Sequence, residues 1–88
     1  WQLPIDDDFR DQIKSTVADI KNTGGSQGGA ETAGAFLENF VGNTPWLHLD
    51  IAGTAWTQEK TAKKEYLGKG ATGYGVRLLT EFSTMVFQ

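Results

Sequence analysis

Pro45-Trp46-Leu47-His48-Leu49-Asp50-Ile51-Ala52-Gly53 alternates in character along its length. Successive side chains of an extended backbone point to opposite faces, so Trp46, His48 and Asp50 share one face and Leu47, Leu49 and Ile51 the other. With Pro45 and Gly53 as bounds, residues 46–51 read as a strand, aliphatic on one side and polar on the other.

Working outward, residues 30–41 place Ala30, Ala33 and Gly34 among the larger Phe36, Leu37 and Phe40. This pattern reads as a helix packed tightly on at least one side, because small residues let a neighbouring backbone approach. Gly42 suits the position just past its end, and Pro45 follows. Before the helix, Asn22-Thr23-Gly24-Gly25-Ser26-Gln27-Gly28-Gly29 is a loop. Residues 17–20 read as a weak strand or extended connection. Asp6-Asp7-Asp8 offers carboxylates to a helix start, and Ile5, Phe9, Ile13 and Val17 recur every four residues, which predicts a short helix over about 7–16. Trp1-Gln2-Leu3-Pro4 is an extended lead-in. Downstream, residues 52–73 carry no helical period and read as a long loop, while Val76, Leu78, Leu79, Phe82, Met85 and Val86 form a helical stripe expected to close a core.

The order of elements indicates an α/β chain. Two strands make a marginal sheet, and three helical faces exceed what two strands can cover. That mismatch, together with a start at Trp1, leads to the expectation that the 88 residues are a single partial domain of a longer polypeptide. The 39% hydrophobic and 22% charged fractions are those of a folded chain, so disorder is excluded. A net charge of -3 gives no electrostatic footprint for nucleic acid or anionic lipid. No apolar stretch has a membrane-spanning length. With zero cysteines, thiolate metal sites and cysteine nucleophiles are absent, and a cytoplasmic setting is expected.

Residue by residue, reactive chemistry is scarce. His48 and Asp50 are conceivable metal ligands, but a catalytic zinc takes three protein ligands and the chain has one histidine; the reading favoured is that both satisfy hydrogen bonds near a strand end. Ser15, Ser26 and Ser83 lie in no G-x-S-x-G turn. The loop over Gly24–Gly29 could cradle an anion at a helix start, yet it matches neither the Walker nor the dinucleotide pattern, and the alternative is that its glycines serve sharp turns and close packing.

Several blocks taken together resemble the C-terminal end of the leucine (cytosol) aminopeptidases. They are Asp19-Ile20-Lys21-Asn22-Thr23-Gly24-Gly25, Gly28-Gly29, Thr32-Ala33, Phe36-Leu37, the run Trp46-Leu47-His48-Leu49-Asp50-Ile51-Ala52-Gly53-Thr54-Ala55-Trp56, and Lys69-Gly70-Ala71-Thr72-Gly73. The resemblance covers nearly the whole chain, and it is the combination that is specific. It implies the C-terminal part of a three-layer α/β/α sandwich, with helices around part of a mixed sheet. It also implies an enzyme that removes N-terminal residues from peptides with two divalent metals, zinc or manganese, and assembles as a homohexamer in the cytoplasm.

In that family the ligands are a lysine and carboxylates, the last of them in an Asn-Thr-Asp-Ala-Glu-Gly-Arg signature. Here Asn22-Thr23 is followed by Gly24-Gly25 and Asn43-Thr44 by Pro45-Trp46, so neither is the signature. The resemblance therefore puts no catalytic residue and no metal ligand on residues 1–88. It does assign Ala52 and Ala55 to the wall of the pocket for the substrate's first side chain, where methyl groups leave room. Ser26-Gln27 and Tyr74-Gly75 depart from residues common in that family, an arginine or other large residue and Arg-Pro, respectively. The competing expectation is a free-standing structural or interaction module without catalysis.

Overall fold

The computed structural model describes residues 1–58 and 68–88. They form two units, Trp1–His48 and Leu49–Gln88. The described elements are α1 (Asp7–Gln12), α2 (Gly29–Glu38), β1 (Trp56–Thr57), β2 (Gly70–Ala71) and α3 (Val76–Val86). The result is a small mixed assembly of helices with one two-stranded antiparallel ladder, compatible with part of an α/β domain.

In the first unit, Asp7 and Asp8 occupy the first turn of α1, where carboxylates complement the exposed amides. Asp6 holds the capping position in an extended conformation, but its side chain makes no capping bond. The helix ends at Gln12, short of the expected residue 16. Ser15 explains the stop: its Oγ accepts from the amides of Val17 (3.2 Å) and Ala18 (3.1 Å), and a serine that bonds the local backbone competes with the helix. The chain then doubles back, with Lys21 N–H donating to Ile13 O at 2.7 Å. The four-residue stripe consequently holds for Ile5, Phe9 and Ile13, which are half-buried or buried, and fails at Val17, which is exposed. Residues 17–20 are bends rather than a strand.

A helix of six residues has no stability of its own in water, so α1 depends on packing. Ile13 is buried, and a buried isoleucine contributes about 1.5–3 kcal/mol. Arg10 adds a two-point contact to α2, Nε donating to Glu38 Oε2 at 2.8 Å and Nη2 to Oε1 at 3.1 Å, while Nη1 reaches Asp7 Oδ1 at 3.0 Å. The Arg10 hydrogen bonds hold the Glu38 carboxyl below the usual range.

The buried side of α2 is its small-residue side: Thr32, Gly34 and Ala35. A Cβ built on Gly34 would lie 2.7 Å from Ile5 Cδ1, and one on Gly24 would lie 2.5 Å from Thr32 Cγ2. The expected close approach is therefore real. The larger Leu37 and Phe40 stay exposed, with the Phe36 and Phe40 rings edge to face at 5.1 Å. Past Glu38 the chain continues in tight turns, Phe40 N–H donating to Leu37 O (3.0 Å) and Thr44 N–H to Val41 O (3.1 Å). Gly42 adopts φ 57° beyond the helix end, as its position suggested.

Residues 46–51 are the main correction. They pair with no strand among the described residues, so the alternation yields an unladdered segment. Trp46 and His48 are half-buried, whereas Leu47, Leu49 and Ile51 are exposed. A period of two signals a surface suited to a sheet; the ladder itself needs a neighbour.

In the second unit, the expected loop over 52–73 contains β1 and β2, with Trp56 opposite Ala71 and Thr57 opposite Gly70; residues 59–67 of that loop lie outside the described residues. Gly75, at φ 92°, starts α3 in the left-handed region that glycine tolerates. Its carbonyl accepts from Leu79 N–H at 2.8 Å. The stripe Leu78, Leu79, Phe82, Met85 and Val86 forms as expected but buries no residue, so α3 closes no core among the described residues.

Two outcomes are expected. Gly24→Ala is to lower stability by about 1–3 kcal/mol, because the β-branched Thr32 cannot move aside. Gly34→Ala is to cost less, since it meets the mobile end of Ile5 and gains helix propensity. Gly53→Ala, with nothing within 4 Å, serves as the near-neutral control, all read by chemical denaturation. Because Glu38 is lowered, its contribution is full above the ordinary glutamate range and lost as pH falls through its own titration. Wild type is thus expected to exceed Glu38→Gln in stability at neutral pH and to converge with it in acid; a gap unchanged by acid contradicts the pairing.

Candidate functional site

Two of the blocks that carry the family resemblance meet in the second unit, residues 49–56 and 69–73. Asp50 Oδ1 accepts the Ala52 amide at 2.8 Å, an Asx turn that bends the chain just after residue 51. The Ile51 carbonyl then accepts from Thr54 N–H (2.9 Å), Ala55 N–H (2.8 Å) and Thr54 Oγ1 (3.2 Å), which closes the turn on itself. The separate block at 69–73 is fastened alongside. Thr72 N–H donates to Ala55 O at 2.9 Å and Thr72 Oγ1 donates to Thr54 O. Thr57 Oγ1 contacts the carbonyls of Gly68 and Gly70. Tyr74 N–H donates back to Thr72 Oγ1 at 3.2 Å.

Ala52 therefore sits in the turn, exposed, and Ala55 sits at its end, half-buried, with its carbonyl tied to Thr72. What this arrangement offers chemically is shape. Its polar contacts run from amides and hydroxyls to carbonyls, to the Thr72 hydroxyl or to one carboxylate, and Asp50 accepts the Ala52 amide. Methyl-sized side chains on a braced turn can bound a cavity; they cannot move a proton.

Of the other candidates, His48 is half-buried in the first unit, and in the second Asp50 accepts the Ala52 amide. No group of three or more His, Cys, Asp or Glu comes together among the described residues. In the Gly24–Gly29 loop, Gly28 takes φ 59° with Phe9 Cε1 2.8 Å from where its Cβ would be, and Gly24 meets Thr32. These contacts support the packing alternative for the loop. An open groove of about 310 Å³ in the first unit is lined by Arg10, Ile13, Lys14, Ile20, Glu38 and Asn39. Its charges are engaged internally: Arg10 with Glu38 and Asp7, and Lys14 with Asp11 at 2.6 Å, which raises the Lys14 pKa.

Sequence reasoning missed the bracing threonines. Thr54 and Thr72 stood among the motif blocks without a role, Thr57 lay just outside them, and no local spacing links Thr54 to Thr72 across 18 positions. The Arg10–Glu38 contact, 28 positions apart, had no sequence signal either.

In fold this is a segment of mixed helix and strand with a braced turn that carries Ala52 and Ala55. Residues 1–80 match the cytosol aminopeptidase family, catalytic domain, and the chain belongs to that family. Relatives agree. The chain is 58% identical over 83 residues to a probable cytosol aminopeptidase of Cenarchaeum symbiosum, covering 93% of this chain and 17% of that protein. It is 58% identical over 81 residues to that of Koribacter versatilis (92% and 15%), and 56% identical over 82 residues to that of Desulfotalea psychrophila (93% and 16%). The chain thus spans about one-sixth of the length of these relatives. Among the described residues no helix is long and apolar enough to cross a membrane.

Asp50→Ala removes the acceptor for the Ala52 amide and is expected to speed hydrogen exchange there by on the order of tenfold, with the Thr72 amide unaffected. Unchanged exchange at Ala52 contradicts the turn's dependence on Asp50.

Proposed function

We propose that residues 1–88 are a single partial domain, the C-terminal portion of the catalytic domain of a metal-dependent cytosol aminopeptidase. The whole enzyme hydrolyses N-terminal residues, leucine among them, from peptides; it works in the cytoplasm as a homohexamer with two divalent metals, zinc or manganese. Its catalytic domain is a three-layer α/β/α sandwich to which this segment contributes helices and sheet-edge surface. The observation that carries the reading is the family match across residues 1–80.

Within the enzyme, this segment's part is shape rather than bond chemistry. Ala52 and Ala55 bound the cavity that receives the substrate's first side chain, and the turn carrying them is held by Asp50 and by the bonds to Thr72. The metal ligands and reacting groups belong to residues outside these 88. The chain's correspondence to 15–17% of its relatives' length supports that division of labour. The exposed apolar stripe of α3 and exposed Leu47 and Leu49 fit a segment that is buried against more protein.

The purified 88-residue chain is expected to hydrolyse no leucyl amide with zinc or manganese added; metal-dependent turnover free of any longer enzyme overturns the proposal. In the complete enzyme, Ala52→Leu and Ala55→Leu are each expected to reduce kcat/KM for leucyl amide by about 10–200-fold while glycyl amide is spared. An equal loss on both substrates removes these alanines from the pocket.

A further inference from the structure

We infer that Thr72 is a positioning residue for substrate selection, because it fixes the Thr54-Ala55 backbone that carries one wall of the first-side-chain pocket. The inference rests on the pocket reading of Ala52 and Ala55 and adds to it the residue that sets where that wall stands.

Thr72 makes three bonds at one point of the second unit. Its amide donates to Ala55 O at 2.9 Å, its hydroxyl donates to Thr54 O, and the same oxygen accepts Tyr74 N–H at 3.2 Å. A threonine hydroxyl offers one proton and two lone pairs, so the donor and one acceptor site are both used. Both carbonyls held by Thr72 belong to consecutive residues, 54 and 55, and the Ala55 methyl projects from the same short stretch. The other end of the turn is anchored separately by Asp50 through Ala52. The wall is therefore pinned at two places by residues that lie outside it. Removal of the Thr72 hydroxyl frees the Thr54 carbonyl beside Ala55 and loosens that end of the turn, while the Thr72 amide keeps Ala55 O and the Asp50 end stays in place.

The effect of such a release depends on the substrate. A glycyl or alanyl substrate does not reach the wall, whereas a leucyl or methionyl side chain fills the space beside it and is sensitive to small displacements. A structural role would instead lower turnover on every substrate.

Thr72→Val keeps the volume and the amide bond but removes both hydroxyl bonds; Thr72→Ser keeps the hydroxyl. In the complete metal-loaded aminopeptidase carrying this segment, Thr72→Val is expected to lower kcat/KM on the order of tenfold for leucyl and methionyl amides, through KM, with glycyl and alanyl amides and metal content unchanged. Thr72→Ser is expected to restore the wild-type ratio. Should Thr72→Val not assemble, Thr72→Ala is compared with Thr72→Ser by the same ratio. A uniform loss on all four substrates, an unchanged leucyl-to-glycyl ratio, or failure of serine to rescue overturns the inference. Ala55→Leu separates the two layers. If it shifts the ratio and Thr72→Val does not, the pocket reading stands and the role of Thr72 falls; if neither Ala55→Leu nor Ala52→Leu shifts it, the pocket reading itself has failed.

Discussion

Ile5 can lie against α2 because residue 34 has no side chain; a Cβ there would stand 2.7 Å from Ile5 Cδ1. The first unit uses that close approach and depends more on its counterpart between Gly24 and Thr32, where the β-branched side chain cannot yield. With Ile13 and Ala35 as its buried hydrophobic residues, the unit has little apolar area to stabilise it, and dispersion contacts at short range must supply what area cannot. The Arg10–Glu38 contact fixes orientation between α1 and α2. Lying at the surface, it adds little to stability by itself.

How much of this was legible in the sequence varies by element. α2 was readable from its composition, and of the small residues that marked a tight side Gly34 is buried against Ile5, whereas Ala30 is half-buried and Ala33 exposed, because alanine also serves helix propensity alone. α1 was readable at its start, where three aspartates precede Phe9, but not at its end, where a hydroxyl at Ser15 overrides a favourable apolar period. The strand over 46–51 was read from alternation alone, and alternation records which surface a segment offers, not whether a partner is present to take it. The ladder at Trp56–Thr57 and Gly70–Ala71 was hidden for the opposite reason: two-residue strands are too short to show a period.

The candidate site was legible only as a set of blocks. The resemblance picked out residues 46–56 and 69–73 independently, and the structure joins parts of them through Thr72 and the carbonyls of Thr54 and Ala55. Neither composition nor spacing announces a hydroxyl-to-carbonyl bond between distant threonines, because threonine is common and its bonding is decided by tertiary geometry. The amphipathic stripe of α3 shows the reverse situation, a strong local pattern whose counterpart is missing among the described residues.

The bracing of the turn at residues 50–55 has a consequence for acid and base sensitivity. Hydroxyls and amides of threonine and alanine keep their protons throughout the range in which enzymes operate, and Asp50 is the single ionisable side chain among the groups that hold this turn. The turn's other bonds join groups that carry no charge to gain or lose in that range. On the proposed pocket role of Ala52 and Ala55, the outline of that wall rests mainly on uncharged bonds, so the choice of side chain is set apart from the charge state of reacting groups elsewhere.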